Sequence, residues 1–201
     1  MGRTFELLYF PPLDYCAALL SSEQPQFLLS SPWQKQSYRN RCYIDGPNGR
    51  VMLNIPIRHD GARQMADIKI SYTENWCHRH QQAIISTYGQ APFFEALIDE
   101  IRAALNAKPQ FLWQLNWRIM SMITRWLRLK QKPELLKDEN PCGSDDFHPK
   151  KPSPVATFPP YPQTFDHRKG FEPNLSVLDL VFNEGPAAYD YLKELSLKMT
   201  R

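Results

Sequence analysis

The chain has few glycines, only 8 among 201 residues, and it lacks the glycine-rich phosphate-binding motifs GxGxxG and GxxxxGK[ST]. A GxSxG nucleophile elbow is also missing. These absences argue against three classes of protein: dinucleotide-binding proteins with the glycine fingerprint, P-loop proteins, and serine hydrolases with the usual nucleophile elbow. The 18 prolines, by contrast, are numerous for this length.

Long hydrophobic runs are absent as well. The uninterrupted apolar stretches are only a few residues long, far short of the ~20 residues that a membrane-spanning helix needs. The net charge is +3, from 24 basic and 21 acidic residues, which is too small for a general nucleic-acid-binding protein. The composition therefore predicts a protein with no transmembrane segment and no nucleic-acid partner.

Cysteine usage indicates a reducing compartment. No CxxC pair occurs, and no signal peptide precedes the cysteines, so we interpret them as reduced thiols in a cytoplasmic protein. They stand at four positions, Cys16, Cys42, Cys77 and Cys142. Of these, Cys16 and Cys42 lie among apolar neighbours and are expected to be buried.

The tetrapeptide CHRH at 77–80 does not predict a metal site. His78 and His80 are two residues apart, so on a helix they point away from each other. No second Cys/His pair stands at a zinc spacing. We expect no metal, and we consider His80 as a general acid or base instead.

The order of patterns predicts an α/β fold class. A strand at 5–10, a helix through about Leu20 and a strand at 26–29 resemble a βαβ unit, followed by a hairpin at 42–57 and a strand at 68–70. Helical patterns follow at 76–88, from Pro92 onwards and at 111–129. We therefore expect a single domain over 1–201, in which a small mixed sheet in the N-terminal third packs against a mainly helical C-terminal part.

Residues 133–173 form a proline-rich irregular segment, which holds nine of the 18 prolines. Its polar part, 137–153, is predicted to be mobile, and its aromatic part is predicted to be ordered from about 158. Beyond it, Asn174 or Ser176 is expected to cap a helix that carries Asp179 in its first turns.

The stretch SPWQKQSYRNRCYIDGPNG at 31–49 contains the densest polar cluster. Arginine binds phosphate or carboxylate through two parallel hydrogen bonds, and lysine does so as a point charge. The cluster is either an anion-binding wall or a solvated loop whose charges pair with nearby acids. Its members are Gln34, Lys35, Tyr38, Arg39, Asn40 and Arg41.

Four stretches together resemble the WbqC-like protein family. They are YFPPLDYCAALL at 9–20, QKQSYRNRCYIDGPNGRVMLNIPI at 34–57, ENWCHRHQQAIISTYGQAPFF at 74–94 and GFEPNLSVLDLVFNEGPAAYDYL at 170–192. The resemblance covers most of the chain outside roughly 108–155. Many relatives have a more acidic segment where this chain has LLSSPWQK, a departure that weighs against a metal-assisted mechanism.

The resemblance implies a sugar-related transferase that adds glycine or another acyl group to a sugar in bacterial O-antigen synthesis, although no catalytic residues are established for the family. The matched motifs select the candidates: His80 and Tyr15 for catalysis, with His80 as general base. The candidates for substrate binding are Lys35, Arg39, Asn40, Arg41, Tyr88 and Asp179.

Two functions remain open at this point. The first is a cytoplasmic transferase whose donor, a nucleotide-sugar or an activated acyl group, is held by Lys35, Arg39 and Arg41. The second is a non-catalytic binding or assembly protein of the same pathway, with helix 111–129 and loop 158–171 as its partner surface. An enzyme would bring Arg39, Arg41 and His80 together at one concave pocket, whereas an assembly protein would leave them scattered and expose a large apolar patch. We expect at least one of the two arginines to line a pocket with Tyr15 and His80. The sequence indicates neither a cofactor nor an oligomeric state.

Overall fold

The computed structural model describes residues 3–129, 133–136 and 147–199. Its strands are β1 Arg3–Glu6, β2 Pro25–Leu28, β3 Arg41–Ile44, β4 Val51–Asn54 and β5 Glu134–Leu136. Its α-helices are α1 Leu13–Leu20, α2 Trp76–Tyr88, α3 Phe94–Asn106, α4 Leu112–Trp126, α5 Asp166–Lys169, α6 Val177–Glu184 and α7 Ala188–Leu197. Short 3₁₀ turns lie at Met65–Asp67 and Gly185–Ala187.

The βαβ unit predicted at the N-terminus is present. Pro12, in an extended conformation, stands at the N-cap of α1, and Asp14 occupies its first turn, where a negative charge favours the helix dipole. Strands β1 and β2 pair in parallel from Arg3 opposite Pro25 to Glu6 opposite Leu28. Helix α1 thus makes the crossover between two neighbouring parallel strands.

A third strand, β5, comes from the proline-rich segment and was not predicted. It pairs in parallel with β2, so that the sheet order is β1-β2-β5. The free edge of β2 carries backbone N–H and C=O groups that a short extended segment satisfies wherever it comes from along the chain. Such a long-range pairing leaves no local sequence pattern.

The predicted hairpin is formed by β3 and β4, which pair antiparallel from Arg41 opposite Asn54 to Ile44 opposite Val51. Gly49, in its turn, has φ +115°, a conformation that favours glycine. The predicted strand at 68–70 forms only isolated bridges, Ile57 with Ile70 and Lys69 with Phe111. It follows the 3₁₀ turn directly and bridges two different loops instead of one neighbouring strand.

The helices pack around one apolar cluster that extends from β1 to α7. In α4 the fully buried positions include Leu115, Ile119 and Ile123, whereas Trp113, Trp117 and Trp126 are only half-buried at the edge of the core. Cys16 and Cys42 are buried, free thiols, as predicted. The chain is therefore an α/β protein with its strands mainly near the N-terminus and a mostly helical remainder.

The C-terminal helices are fixed by a cap that also joins them to the N-terminus. The Ser176 hydroxyl accepts a hydrogen bond from the Leu178 N–H at 3.3 Å and donates one to the Phe10 carbonyl at 2.9 Å. Gly185, with φ +52°, ends α6 so close to Phe93 that a Cβ there would lie 2.5 Å from the ring. The predicted mobility of 137–153 concerns residues that lie mostly outside the described ranges and stays a prediction.

Candidate functional site

A surface cavity of about 350 Å³ lies where the open end of the β3–β4 hairpin meets two loops, 33–36 and 55–59. Local sequence explains its position, because β3 begins at Arg41 immediately after the polar stretch and β4 ends at Asn54 directly opposite. Its walls contain two cations, three amides, one imidazole, one indole and three apolar residues. The lining residues are Trp33, Lys35, Gln36, Asn40, Arg41, Asn54, Ile55, Pro56, Ile57 and His59.

The two cations of the cavity are not neutralised. Neither Lys35 nor Arg41 forms an ion pair within the part of the chain that the structure describes, and the lining holds no carboxylate. The half-buried Arg41 contacts the Met52 sulfur at 3.8 Å through Nη1. Its Nε is buried and has no hydrogen-bond partner among the described residues. The cavity is therefore electropositive.

Asn40 fixes the wall beside these cations. Its Nδ2 donates hydrogen bonds to the Asn54 Oδ1 at 3.2 Å and to the Ile55 carbonyl at 2.9 Å, and its own carbonyl accepts from the Ile55 N–H at 2.8 Å. The Asn40 Oδ1 is buried and lacks a partner among the described residues. Arg41 and Asn40, which carry the Nε and the Oδ1, both line the cavity.

Arg39 lies in the core and does not line this cavity. It is 2% exposed, and its guanidinium makes a bidentate ion pair with Glu6, with Nε at 3.1 Å from Oε2 and Nη2 bonded to Oε1. The Nη1 donates to the Pro32 carbonyl. Substrate binding by Arg39 stays a prediction, and this geometry favours a structural role.

Tyr15 is also buried away from the cavity. It is 1% exposed, and its hydroxyl donates to the Glu6 carbonyl at 2.6 Å. Burial raises the pKa of Tyr15 well above its ordinary value, and Cys16 and Glu6 raise it further. The phenol thus remains protonated and holds α1 to β1. Its catalytic role stays a prediction that these contacts do not favour.

His80 is 5% exposed and lies behind the hairpin. Its Nδ1 is 2.8 Å from the Tyr9 hydroxyl, and the ring also bonds the backbone of Asn54. Burial lowers the pKa of His80 to about 4, despite the opposing effect of that backbone bond. His80 therefore supports the cavity strand from behind as a neutral imidazole, and its role as general base stays a prediction.

Tyr88 and Asp179 belong to a second, fully buried polar cluster. The Asp179 Oδ2 accepts from the Tyr161 hydroxyl at 2.6 Å and from the Gln163 Nε2 at 2.9 Å. The Tyr88 hydroxyl accepts from the Asp45 N–H at 3.1 Å. The cluster joins the returning loop to α2 and α6, and neither predicted residue lines the cavity.

Lys169 closes this cluster from the surface side. Its Nζ lies 2.8 Å from the Asp45 Oδ1, and the backbone N–H of Phe165 donates to the Asp45 Oδ2 at 3.2 Å. Asp45 and Asp179 are both fully buried. Two buried carboxylates thus hold residues 161–169 against the body of the protein.

The protonation of Asp179 should couple to stability. Burial raises its pKa from 3.8 to about 6, although hydrogen bonds from Tyr161 and Gln163 oppose this rise. The folded state then binds the proton more tightly, so this contribution to stability is fully present below 3.8 and is lost as the pH rises through about 6. A tenfold difference in proton affinity between the folded and unfolded states corresponds to about 1.4 kcal/mol.

We therefore expect the free energy of unfolding of Asp179→Asn, relative to the native sequence, to rise between about pH 4 and about pH 8. Urea unfolding across this range measures the difference, with the exposed Asp99→Asn as control. If the difference in free energy of unfolding between Asp179→Asn and the native sequence does not change with pH, burial does not raise the pKa of the Asp179 carboxyl.

Several cavity residues were not found from the sequence. Trp33 stands in the polar stretch 31–49, and its place two residues before Lys35 could have identified it. Asn54 and His59, however, come from the far side of the hairpin. His59 lies in a polar loop with no periodic pattern. Only the fold brings these residues to the cavity.

Comparison with known proteins gives one match. The model of the WbqC-like protein family matches residues 8–145 and 153–191. Neither a curated protein nor a solved structure matches the chain. Among the described residues, no helix combines the length and the apolar character needed to cross a membrane. The family match spans both the cavity and the buried carboxylate cluster, and the chain belongs to the WbqC-like family.

Proposed function

We propose that this protein is a cytoplasmic transferase of bacterial surface-polysaccharide (O-antigen) biosynthesis that binds a phosphate-bearing donor in the cavity. The observation that carries the proposal is the half-buried, unpaired Arg41 beside Lys35, in a cavity with no carboxylate in its lining. A guanidinium and an ammonium facing one space are suited to a phosphate. The predicted roles of Lys35, Asn40 and Arg41 are part of this proposal.

The chemistry of transfer follows from the same charges. A leaving phosphate gains negative charge as its bond to the transferred group breaks, and preorganised cations stabilise that charge. The three amides of the lining can orient hydroxyl or carbonyl groups of the donor. The volume of about 350 Å³ lies near the lower end of the range of about 300–1,000 Å³ for ligand pockets. It therefore suits one part of a nucleotide-sugar or thioester donor, with the remainder outside.

The alternative is a non-catalytic binding or assembly protein of the same pathway. Such a protein would present a large apolar surface. In the described residues the exposed large hydrophobic side chains are Val51, Met52 and Leu197, and the tryptophans of α4 are half-buried against the core. This distribution counts against a partner surface. Because Arg39, Tyr15 and His80 do not meet Arg41 at the cavity, the support for an enzyme rests on Arg41 and Lys35.

A thermal-shift screen against nucleotide-sugars, acyl-CoA thioesters and inorganic pyrophosphate tests the proposal. A ligand at ~100 times its dissociation constant stabilises the folded state by ~2.7 kcal/mol. We expect at least one class to raise the melting temperature of the native sequence and to have much less effect on Arg41→Ala. Equal stabilisation of both proteins, or none by any class, would contradict binding in this cavity.

A further inference from the structure

His59 carries the imidazole among the lining residues of the cavity. The ammonium of Lys35 and the guanidinium of Arg41 are hydrogen-bond donors without an acceptor atom, and the amides of Gln36, Asn40 and Asn54 do not act as bases. The remaining walls are apolar or indole. An imidazole is the side chain suited to take up and release protons at this pH.

The two residues expected to be catalytic are occupied elsewhere. His80 is buried and bonded to both the Tyr9 hydroxyl and the Asn54 backbone. The Tyr15 hydroxyl is bonded to the Glu6 carbonyl. Neither lines the cavity, so proton transfer to a ligand there requires another group.

His59, by contrast, is exposed, and its ring makes no hydrogen bond to any other described residue. The charged groups beside it are paired or positive. Asp60 accepts a hydrogen bond from the Lys69 ammonium at 3.1 Å, Arg58 is a neighbouring cation, and Lys35 and Arg41 share the cavity. Both imidazole nitrogens are thus available to a ligand.

We propose that His59 is the proton acceptor of the cavity, an inference that rests on the proposed transferase function. The acceptor substrate, an amine or a hydroxyl, forms a bond to the transferred carbon with its lone pair. In a nucleotide-sugar donor the bond from that carbon to the phosphate oxygen breaks, and its electron pair stays on the phosphate beside Lys35 and Arg41. In a thioester donor the carbon–sulfur bond breaks instead, and its electron pair stays on the departing sulfur. The proton of the attacking amine or hydroxyl passes to an imidazole nitrogen of His59.

Proton linkage provides a test that requires no known substrate. Inorganic sulfate is the probe, because its charge does not change near neutral pH. Calorimetric titrations in buffers of different ionisation enthalpy measure the protons taken up on binding. We expect net uptake with the native sequence, none with His59→Gln, and native uptake with His167→Gln, which changes an exposed histidine of α5.

The outcomes separate the two proposals. Sulfate binding that is lost in Arg41→Ala but retains its proton uptake in His59→Gln would overturn the role of His59 alone. No sulfate binding to the native protein would overturn anion binding in the cavity, and the role of His59 with it. With the donor from the thermal screen, His59→Gln should lower kcat by about 100- to 10,000-fold at an unchanged melting temperature, and an unchanged kcat would overturn the role.

Discussion

Arg39→Ala is expected to destabilise the protein by about 3–5 kcal/mol, the range for removing one partner of a buried ion pair. Arg39 is 2% exposed and pairs with Glu6 through two hydrogen bonds. Without the guanidinium, the Glu6 carboxylate stays in the core without its cation, and the Pro32 carbonyl loses its donor. Urea unfolding followed by circular dichroism measures this loss.

Two further variants decide whether the ion pair is the cause. The double variant Glu6→Ala/Arg39→Ala should recover part of the loss, because it leaves no unpaired charge. Arg102→Ala removes a half-buried arginine that pairs with the exposed Asp99, and it should cost less than about 1 kcal/mol. If Arg39→Ala lowers the free energy of unfolding no more than Arg102→Ala does, the buried ion pair does not hold β1 to the polar stretch.

Arg41→Ala should produce the opposite result, loss of ligand with retention of the fold. The half-buried guanidinium has no ion pair among the described residues, so its removal leaves no carboxylate unpaired. Removing a charged hydrogen bond to a phosphate should weaken binding by about 1.5–3 kcal/mol. Calorimetry with pyrophosphate measures the affinity, and the same Arg102→Ala variant is the control.

The two arginines therefore separate structure from binding, although they stand two residues apart. An Arg41→Ala protein that unfolds, or one that binds pyrophosphate with native affinity, would remove the main support of the proposed function. A stable Arg41→Ala protein with reduced affinity would support it.

The local parts of the fold were predictable from the sequence. Pro11 and Pro12 mark the start of α1, the residues around Gly49 mark the hairpin, and Ser176 marks the start of α6, because each of these signals acts within a few residues. The pairing of β5 with β2 was not predictable. It depends on contacts between residues about 108 apart, as in Gln26 with Glu134, which no local pattern records.

The candidate site was predictable to a similar extent. Lys35, Asn40 and Arg41 share one short stretch, and they do meet in the cavity. The burial of Arg39 depends on Glu6, a partner 33 residues away, and no charge pattern in the stretch distinguishes the two arginines. Tyr88 and Asp179 do lie in one cluster, but its other members, Tyr161 and Lys169, both come from the proline-rich segment 133–173.

The most direct test of anion binding is a pyrophosphate titration followed by ¹⁵N NMR of the arginine Nε–H and tryptophan indole signals. The Arg41 Nε–H, which has no partner among the residues that the structure describes, should shift along a saturating curve together with the indole N–H of Trp33. The Arg39 Nε–H, bonded to Glu6, and the indole N–H of Trp126 should stay in place. Saturable shifts confined to other sites, or no saturable shift at Arg41, would contradict the assignment of this cavity as the anion-binding site.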